Sequence, residues 1–306
     1  MSSSQEAKEI IRRWNEQGWS GGKYDLAYEI ISPNMVVHGA GGQAVGMGPE
    51  GLIDLIKTWR TAFPDGRMEI DDLIVEGEIV AIRNTWYGTQ EAEFYGVPPS
   101  GKTVAVTSVG IDRVQEGKVT EGWGELDMVG MMQQMGALPT VGPGAVATGA
   151  DPAWGATASE PDTEEPGEPK ELLSGLIAAL AAGEEGAARE LVDAERFVDH
   201  SPGWGTRSFD SVLASYAALR RALPDLAFEI DRDNMVGEGN QAAAHSVVRG
   251  THSGEPLFGV EPSGNEVVWT HSDFARTDGG RIVERWSATD MLTLFQQLGV
   301  LPAAGG

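Results

Sequence analysis

Gly96-Val97-Pro98-Pro99-Ser100-Gly101 recurs as Gly259-Val260-Glu261-Pro262-Ser263-Gly264, and the likeness extends without a gap over residues 95–139 and 258–302 at a constant shift of 163. In that block 18 of 45 positions are identical, among them Trp123 and Trp286, Asp127 and Asp290, and Gln133-Gln134 and Gln296-Gln297. Unrelated segments of average composition share far fewer. The period is too long for a solenoid, whose units run to roughly 20–50 residues. The chain of 306 residues therefore reads as a duplicated domain, and each copy is large enough to bury a core.

Between the copies, residues 141–169 hold ten Gly or Pro among 29 positions and an acidic cluster at Asp162, Glu164, Glu165 and Glu168. Such a composition cannot bury enough surface to fold. The expected organisation is a domain over 1–140, a flexible linker over 141–169 with Trp154 alone in it, and a second domain over 170–306. The net charge of −24 divides as −9, −6 and −9 over these segments. An acidic surface is repelled by phosphate backbones and anionic lipid, so neither nucleic acid nor membrane is expected as a partner. Residues 1–14 are polar and then amphipathic, without the apolar run of a signal peptide, and no span is long enough to cross a bilayer. The expected location is the cytoplasm. The absence of cysteine excludes disulfides and thiolate chemistry.

Outward from the repeated block, each copy opens on helical spacing. Ala7, Ile10, Ile11 and Trp14 lead to Gly18, and Leu172, Leu173, Leu176, Ile177 and Leu180 lead to Gly183. Short helices are expected over 23–31 and 184–192. A third pair carries Leu52, Ile56, Trp59 and Phe63, matched by Val212, Tyr216, Leu219 and Leu223, and stops at Pro64-Asp65 or Pro224-Asp225. Strands follow over 80–89 and 242–251, from Thr103 and Glu266, and over 118–125 and 281–288. A last helix ends at Gly136 or Gly299. Helices first and a strand meander second predict an α+β fold.

The chemistry-bearing candidates also come in pairs. Glu121-x-Trp123 with Asp127, and Glu284-x-Trp286 with Asp290, place a carboxyl group and an aromatic on one face of a strand. If that face is concave, the apolar Trp wall raises a carboxyl pKa toward acid–base use. If instead Asp127 and Asp290 cap the final helix, capping lowers it. His38 and His200 occupy equivalent places, whereas His252, His245 and His271 correspond to Gln90, Arg83 and Ser108. No His-x-x-x-His or His-Glu-x-x-His spacing occurs, so no metal is expected. Serine-hydrolase elbows, phosphate loops and dinucleotide fingerprints are likewise missing.

Phe63-Pro64-Asp65, Glu76-Gly77, Arg83, Gly88-Thr89, Gly96 to Lys102, Gly117-Lys118-Val119, Glu121-x-Trp123, Asp127 and Gln134-x-Gly136 follow in order. The second copy repeats the series through Gly250-Thr251-His252, Gly280-Arg281-Ile282-Val283-Glu284-x-Trp286, Asp290 and Gln297-x-Gly299. The ordered set resembles the SnoaL-like polyketide cyclases, or ester cyclases, of the nuclear-transport-factor-2-like superfamily. That resemblance implies two tandem cone-shaped α+β barrels, a curved antiparallel sheet wrapped round helices in each, paired within the chain as a pseudo-dimer. It implies aldol-type ring closure of a hydrophobic polyketide-like molecule in secondary metabolism, without metal or organic cofactor. Asp290 and Asp127 take the acid–base position, with His252, His200 and His38 as catalytic partners. Trp286, His271 and His245, and in the first copy Trp123, Arg83 and Gln90, are the expected substrate contacts. An epoxide-opening enzyme, with an Asp/Arg/Asp set, and a non-catalytic ligand-binding module are the alternatives on the same fold.

Overall fold

The computed structural model describes residues 3–39, 43–138, 169–201 and 208–301, so the proposed linker (Pro169 apart) and Trp154 lie outside the described residues. The chain divides into two compact units, the first within 3–138 and the second within 169–301. Each is a six-stranded sheet with helices, the α+β architecture the duplicated pattern predicts.

In the first unit α1 (Ser3–Arg13) runs on into a π-helical turn over Trp14–Ser20. Gly18 permits this, because a Cβ there would lie 2.4 Å from the Trp14 ring. After α2 (Leu26–Ile30) come β1 (Ile31–His38), β2 (Ala44–Gly46) and α3 (Gly48–Ala62). The expected stripe of α3 is buried, from Leu52 through Ile56 and Trp59 to Phe63. Strands β3 (Arg67–Glu76), β4 (Ile79–Thr89), β5 (Thr103–Gln115) and β6 (Lys118–Leu126) lead to α4 (Met128–Met135).

The second unit repeats this plan with α5 (Pro169–Ala182), α6 (Glu185–Glu190), β7 (Val198–Asp199) and α7 (Phe209–Ala222). Short β8 (Ala227–Ile230) and β9 (Val236–Glu238) precede β10 (Gln241–Thr251), β11 (Glu266–Asp278), β12 (Arg281–Thr289) and α8 (Met291–Leu298). Pro169 is the first residue of α5, a position where its missing N–H costs nothing.

One feature departs from helices followed by a meander. Strand β1 intervenes between α2 and α3 and lies parallel to β6, as β7 does to β12. The remaining neighbours are antiparallel. Pro33 within β1 breaks the alternation that marks a strand in sequence.

The Pro-Asp steps that stop α3 and α7 also tie helix to sheet. Asp65 accepts from the Thr89 amide (2.7 Å) and hydroxyl (2.8 Å), and Asp225 from those of Thr251 (2.6 and 2.7 Å). These bonds, led by the backbone one, hold both carboxyls below their ordinary value.

Candidate active site

Strand alternation sorts the sheet of the second unit into two faces. Register pairs His271 with Thr289, Asp273 with Ser287 and Ala275 with Arg285, which places these residues on one face. Phe274 with Trp286 and Arg276 with Glu284 share the other. The first face meets α7 and encloses a cavity with about 490 Å³ of free space including its mouth. Val212, Leu219, Phe228, Trp269 and Leu294 make its apolar walls.

At one side of this cavity sits a buried charged cluster. Arg285 donates from Nε to Asp273 Oδ1 (2.7 Å), from Nη1 to Asp199 Oδ1 (3.4 Å), and from Nη2 to Tyr216 Oη (3.0 Å) and His271 Nε2 (3.1 Å). His271 Nδ1 lies 2.7 Å from Thr289 Oγ1. Ser201 Oγ donates to Asp199 Oδ1 (2.8 Å) and lies 2.5 Å from Ser287 Oγ. Burial alone pushes the Asp273 carboxyl up, but Arg285 and then His271 outweigh it and draw the group down to about 2. Burial also opposes the charge on Arg285, yet Asp273, Tyr216 and Asp199 hold the guanidinium well above its ordinary value. The Tyr216 hydroxyl is pushed up to about 12, chiefly by burial, and stays protonated. A charged cluster built round one guanidinium in this way fixes side chains and sets field at the cavity wall, although Asp273 Oδ2 is buried without a hydrogen-bond partner among the described residues.

Of the residues expected from sequence to form a site in this unit, His271 lines the cavity. The other expected residues lie elsewhere. Trp286 stacks on His200 on the opposite face of the sheet, with ring centres 4.8 Å apart, and His200 Nε2 is 3.4 Å from Glu284 Oε1. His245 shares that face and bonds Ser272 Oγ at 3.1 Å. His252 is buried at the root of the loop after β10, and neither ring nitrogen has a hydrogen-bond partner among the described residues. Asp290 caps α8 by accepting from the Thr293 amide at 3.0 Å, while its Oδ2 is buried without a partner.

The first unit places its set in the same way. His38 stacks on Trp123 at 4.7 Å and bonds Glu121 at 2.8 Å. Arg83 is buried against Asp72 on that same outer face, where its Nε donates at 2.7 Å. Gln90 stands where the second unit has His252 and pins the following loop through Ala92 O, Val97 O and the Ser100 amide. Asp127 caps α4 through the Gly130 amide at 2.8 Å, and burial, opposed by that bond, leaves its carboxyl raised. Among the described residues no group of three or more His, Cys, Asp or Glu is placed to hold a metal ion.

Sequence reasoning passed over Asp199, Tyr216, Asp273, Arg285, Ser287 and Thr289. Their signal was present as difference between the copies. At the shift of 163, Arg285, Asp273 and His271 stand opposite Gly122, Gly110 and Ser108.

The chain belongs to the SnoaL-like polyketide cyclase family, whose pattern residues 9–135 and 170–298 each match. Among solved structures it is similar to a candidate SnoaL-like polyketide cyclase from Jannaschia sp. CCS1 (28% identity, 45% of this chain and 97% of that one, TM-score 0.42). It is also similar to AclR from Streptomyces galilaeus, described as a candidate hydroxylase (28%, 45% and 100%, TM-score 0.41). A third is IdmH from Streptomyces antibioticus, a candidate polyketide cyclase (28%, 42% and 98%, TM-score 0.39). No curated protein matches the chain. No helix among the described residues is long and apolar enough to cross a membrane.

Proposed function

We propose that the second unit is a cytoplasmic cyclase-type enzyme that closes a ring, or moves a proton, on a hydrophobic carbonyl-bearing polyketide-like molecule. The observation that carries this reading is the apolar cavity with His271 in its wall, held between Arg285 and Thr289. Apolar walls desolvate and fold a flexible substrate, and holding its two ends together supplies much of the rate of a ring closure. His271 is the acid–base group in this reading, since imidazole can take up and return a proton near neutral pH. Asp273 and Arg285 position it. Asp290, the alternative proton carrier, has one oxygen committed to the helix cap.

A second reading draws on Arg285 flanked by Asp199 and Asp273, an Asp/Arg/Asp set such as epoxide-opening relatives of this fold use. Opening an epoxide needs a proton donor for the ring oxygen. Asp273, drawn down to about 2, is ionised and does not supply it, which leaves Tyr216 for that task.

Both readings meet in one experiment: mass-spectrometric metabolite profiles of the native host lacking the gene, rescued by wild type, His271→Gln or Asp290→Asn. Wild type and Asp290→Asn are expected to clear an accumulated precursor, and His271→Gln to leave it. Failure of Asp290→Asn alone would return the role to the capping carboxylate. A product heavier than its precursor by one water marks epoxide opening. A profile that no strain alters removes catalysis and leaves a binding module.

A further inference from the structure

Asp112 stands among apolar neighbours on the inner face of the first unit's sheet. On that face it is flanked by Val80 of β4 and Gly122 of β6, with Val37 of β1 next beyond. The cluster packed on this part of the face, with Ile10 and Ile11 from α1 and Ile53 and Ile56 from α3, is apolar as well. Arg113, the next residue of β5, turns to the opposite face and donates to Glu121 at 3.1 Å. Among the described residues no hydrogen bond or ion pair reaches the Asp112 carboxyl, and burial by itself pushes the group up to about 7. The side chain is nonetheless only half-buried.

The second unit supplies a cation on the same face from its own chain. Arg285 stands where the first unit has Gly122, Asp273 where it has Gly110, and Asp199 faces Arg285 as Val37 faces Gly122. At the place of Asp112 the second unit has Ala275, fully buried, so the fold itself does not need an acid there. The first unit drops the guanidinium and gains a carboxyl group. A buried carboxyl without a partner costs stability that an alanine would not. Its missing counter-charge is one that a ligand can bring.

Glycines make the room. A Cβ at Gly122 would meet two atoms within 4 Å, Asp112 Oδ1 at 3.0 Å and Cε of Met35 at 3.2 Å, and the methyl end of a methionine yields readily. Gly124 lies two residues further along the same face, about 6–7 Å by strand rise. It is exposed, and a Cβ there would meet nothing within 4 Å. We propose that the first unit binds a small monocation with an apolar body, an arylalkyl amine, whose ammonium group pairs with Asp112 and whose body lies along Gly124. A metal ion would ask for several oxygen or nitrogen ligands, and this face offers it one carboxyl group. A charge-assisted bond to a carboxylate in apolar surroundings is strong enough to hold a small amine. The amine selects the ionised acid, so affinity is full above pH 7 and is lost as pH falls below it. This site is separate from the cavity of the second unit and does not depend on the reading given to it.

The full-length protein is titrated with benzylamine and with benzyl alcohol, a neutral molecule of the same shape, by ligand-observed nuclear magnetic resonance. At pH 8 the amine is expected to bind about tenfold more tightly than the alcohol. Its affinity should fall about tenfold from pH 8 to pH 6, while that of the alcohol stays level. Asp112→Asn should bring the amine to the level of the alcohol at both pH values. Gly124→Val should weaken both probes, and Leu219→Trp, which fills the cavity of the second unit, should weaken neither. Near-ultraviolet circular dichroism verifies that each variant is folded. An amine that binds no better than the alcohol overturns the proposal. So does a preference that survives Asp112→Asn, since the acidic surface as a whole would then be attracting the amine. Loss of amine binding in Leu219→Trp would put the amine in the second unit and overturn the proposal while leaving the reading of that cavity in place.

Discussion

The two units solve the same interior in opposite ways. In the second, Arg285, Asp273, His271 and Tyr216 build a charged wall beside an open cavity. In the first, the same positions hold Gly122, Gly110, Ser108 and Ile56. Ile82 and Met35 fill the room beside the two glycines, and further along the sheet rings pack together. Trp59 contacts Trp19, Trp86 and Phe94 edge-on, with centroids 6.3, 5.5 and 4.8 Å away. The counterparts of Trp59 and Phe94 in the second unit are Leu219 and Leu257. Both versions keep the helix caps, the Asp–Thr ties and the left-handed glycines after the last helix. Fold is thus carried by residues common to the copies, and a site by residues that differ between them.

The largest effect should come from removing the charge that organises the second unit. Arg285→Met leaves Asp199 and Asp273 buried without their cation, a loss of ~3–5 kcal/mol. Hydrogen-exchange mass spectrometry of the whole chain in rising urea would follow each unit separately. Early opening of β11 and β12 with β5 and β6 unchanged is the expected outcome. Equal loosening of both units would mean that the cluster does not hold the second unit in particular.

An exchange of bulk tests the other half of the contrast. Trp59→Leu opens a void in the aromatic cluster and should cost the first unit ~2 kcal/mol. Leu219→Trp places the larger ring in the cavity, where it displaces ligand; rescue of the metabolite profile should be lost, and filling open space should keep the stability cost at the low end of overpacking, ~1 kcal/mol. If Leu219→Trp instead destabilises as much as Trp59→Leu, the free space beside Leu219 is too small to matter.

Much of the fold was legible because it is written twice. Apolar stripes at helical spacing, the Pro-Asp stops, the Glu116-Gly117 and Gly279-Gly280 turns and the capping glycines all occur in the places expected. Strand β1 escaped because Pro33 interrupts it, and β3 because Glu69, Asp71 and Asp72 give it the look of a surface loop. The site was harder for a different reason. A strand has two faces, and period-two spacing cannot say which is concave. Trp286 and Glu284 mark one face of β12, whereas Arg285, Ser287 and Thr289 mark the face that turns to the cavity. Repetition marks what the copies share, and the charged cluster is not shared. His271 stands out because the chain has five histidines, whereas Asp273 and Arg285 are of charged types too common in it to carry such a signal.

The finest distinction concerns a carboxyl group found in the first unit alone. Asp112 stands where the second unit has Ala275, opposite Gly122 on β6. A Cβ at Gly122 would lie 3.0 Å from Asp112 Oδ1, so glycine there leaves room for the acid but offers it no side-chain partner. Burial accordingly pushes the Asp112 carboxyl from 3.8 up to about 7. A raised acid binds its proton in the folded state and loses it on unfolding, so stability is greatest below pH 4 as far as this group is concerned. It falls as pH climbs from about 4 to about 7, and the penalty is complete above that. Fully expressed, the rise corresponds to ~4 kcal/mol, and the side chain's partial exposure reduces this to ~1–2 kcal/mol. Asp112→Asn removes the charge and with it the penalty. The variant should match wild type at pH 5 more nearly than at pH 8, where its first unit should be the more stable by that amount. Urea midpoints at the two pH values, read through the hydrogen exchange of β5 and β6, measure it. A gain of equal size at both would show that Asp112 is already partnered in the folded protein, and the contrast between an acid left without a counter-charge and acids that share one in Arg285 would then fail at this position.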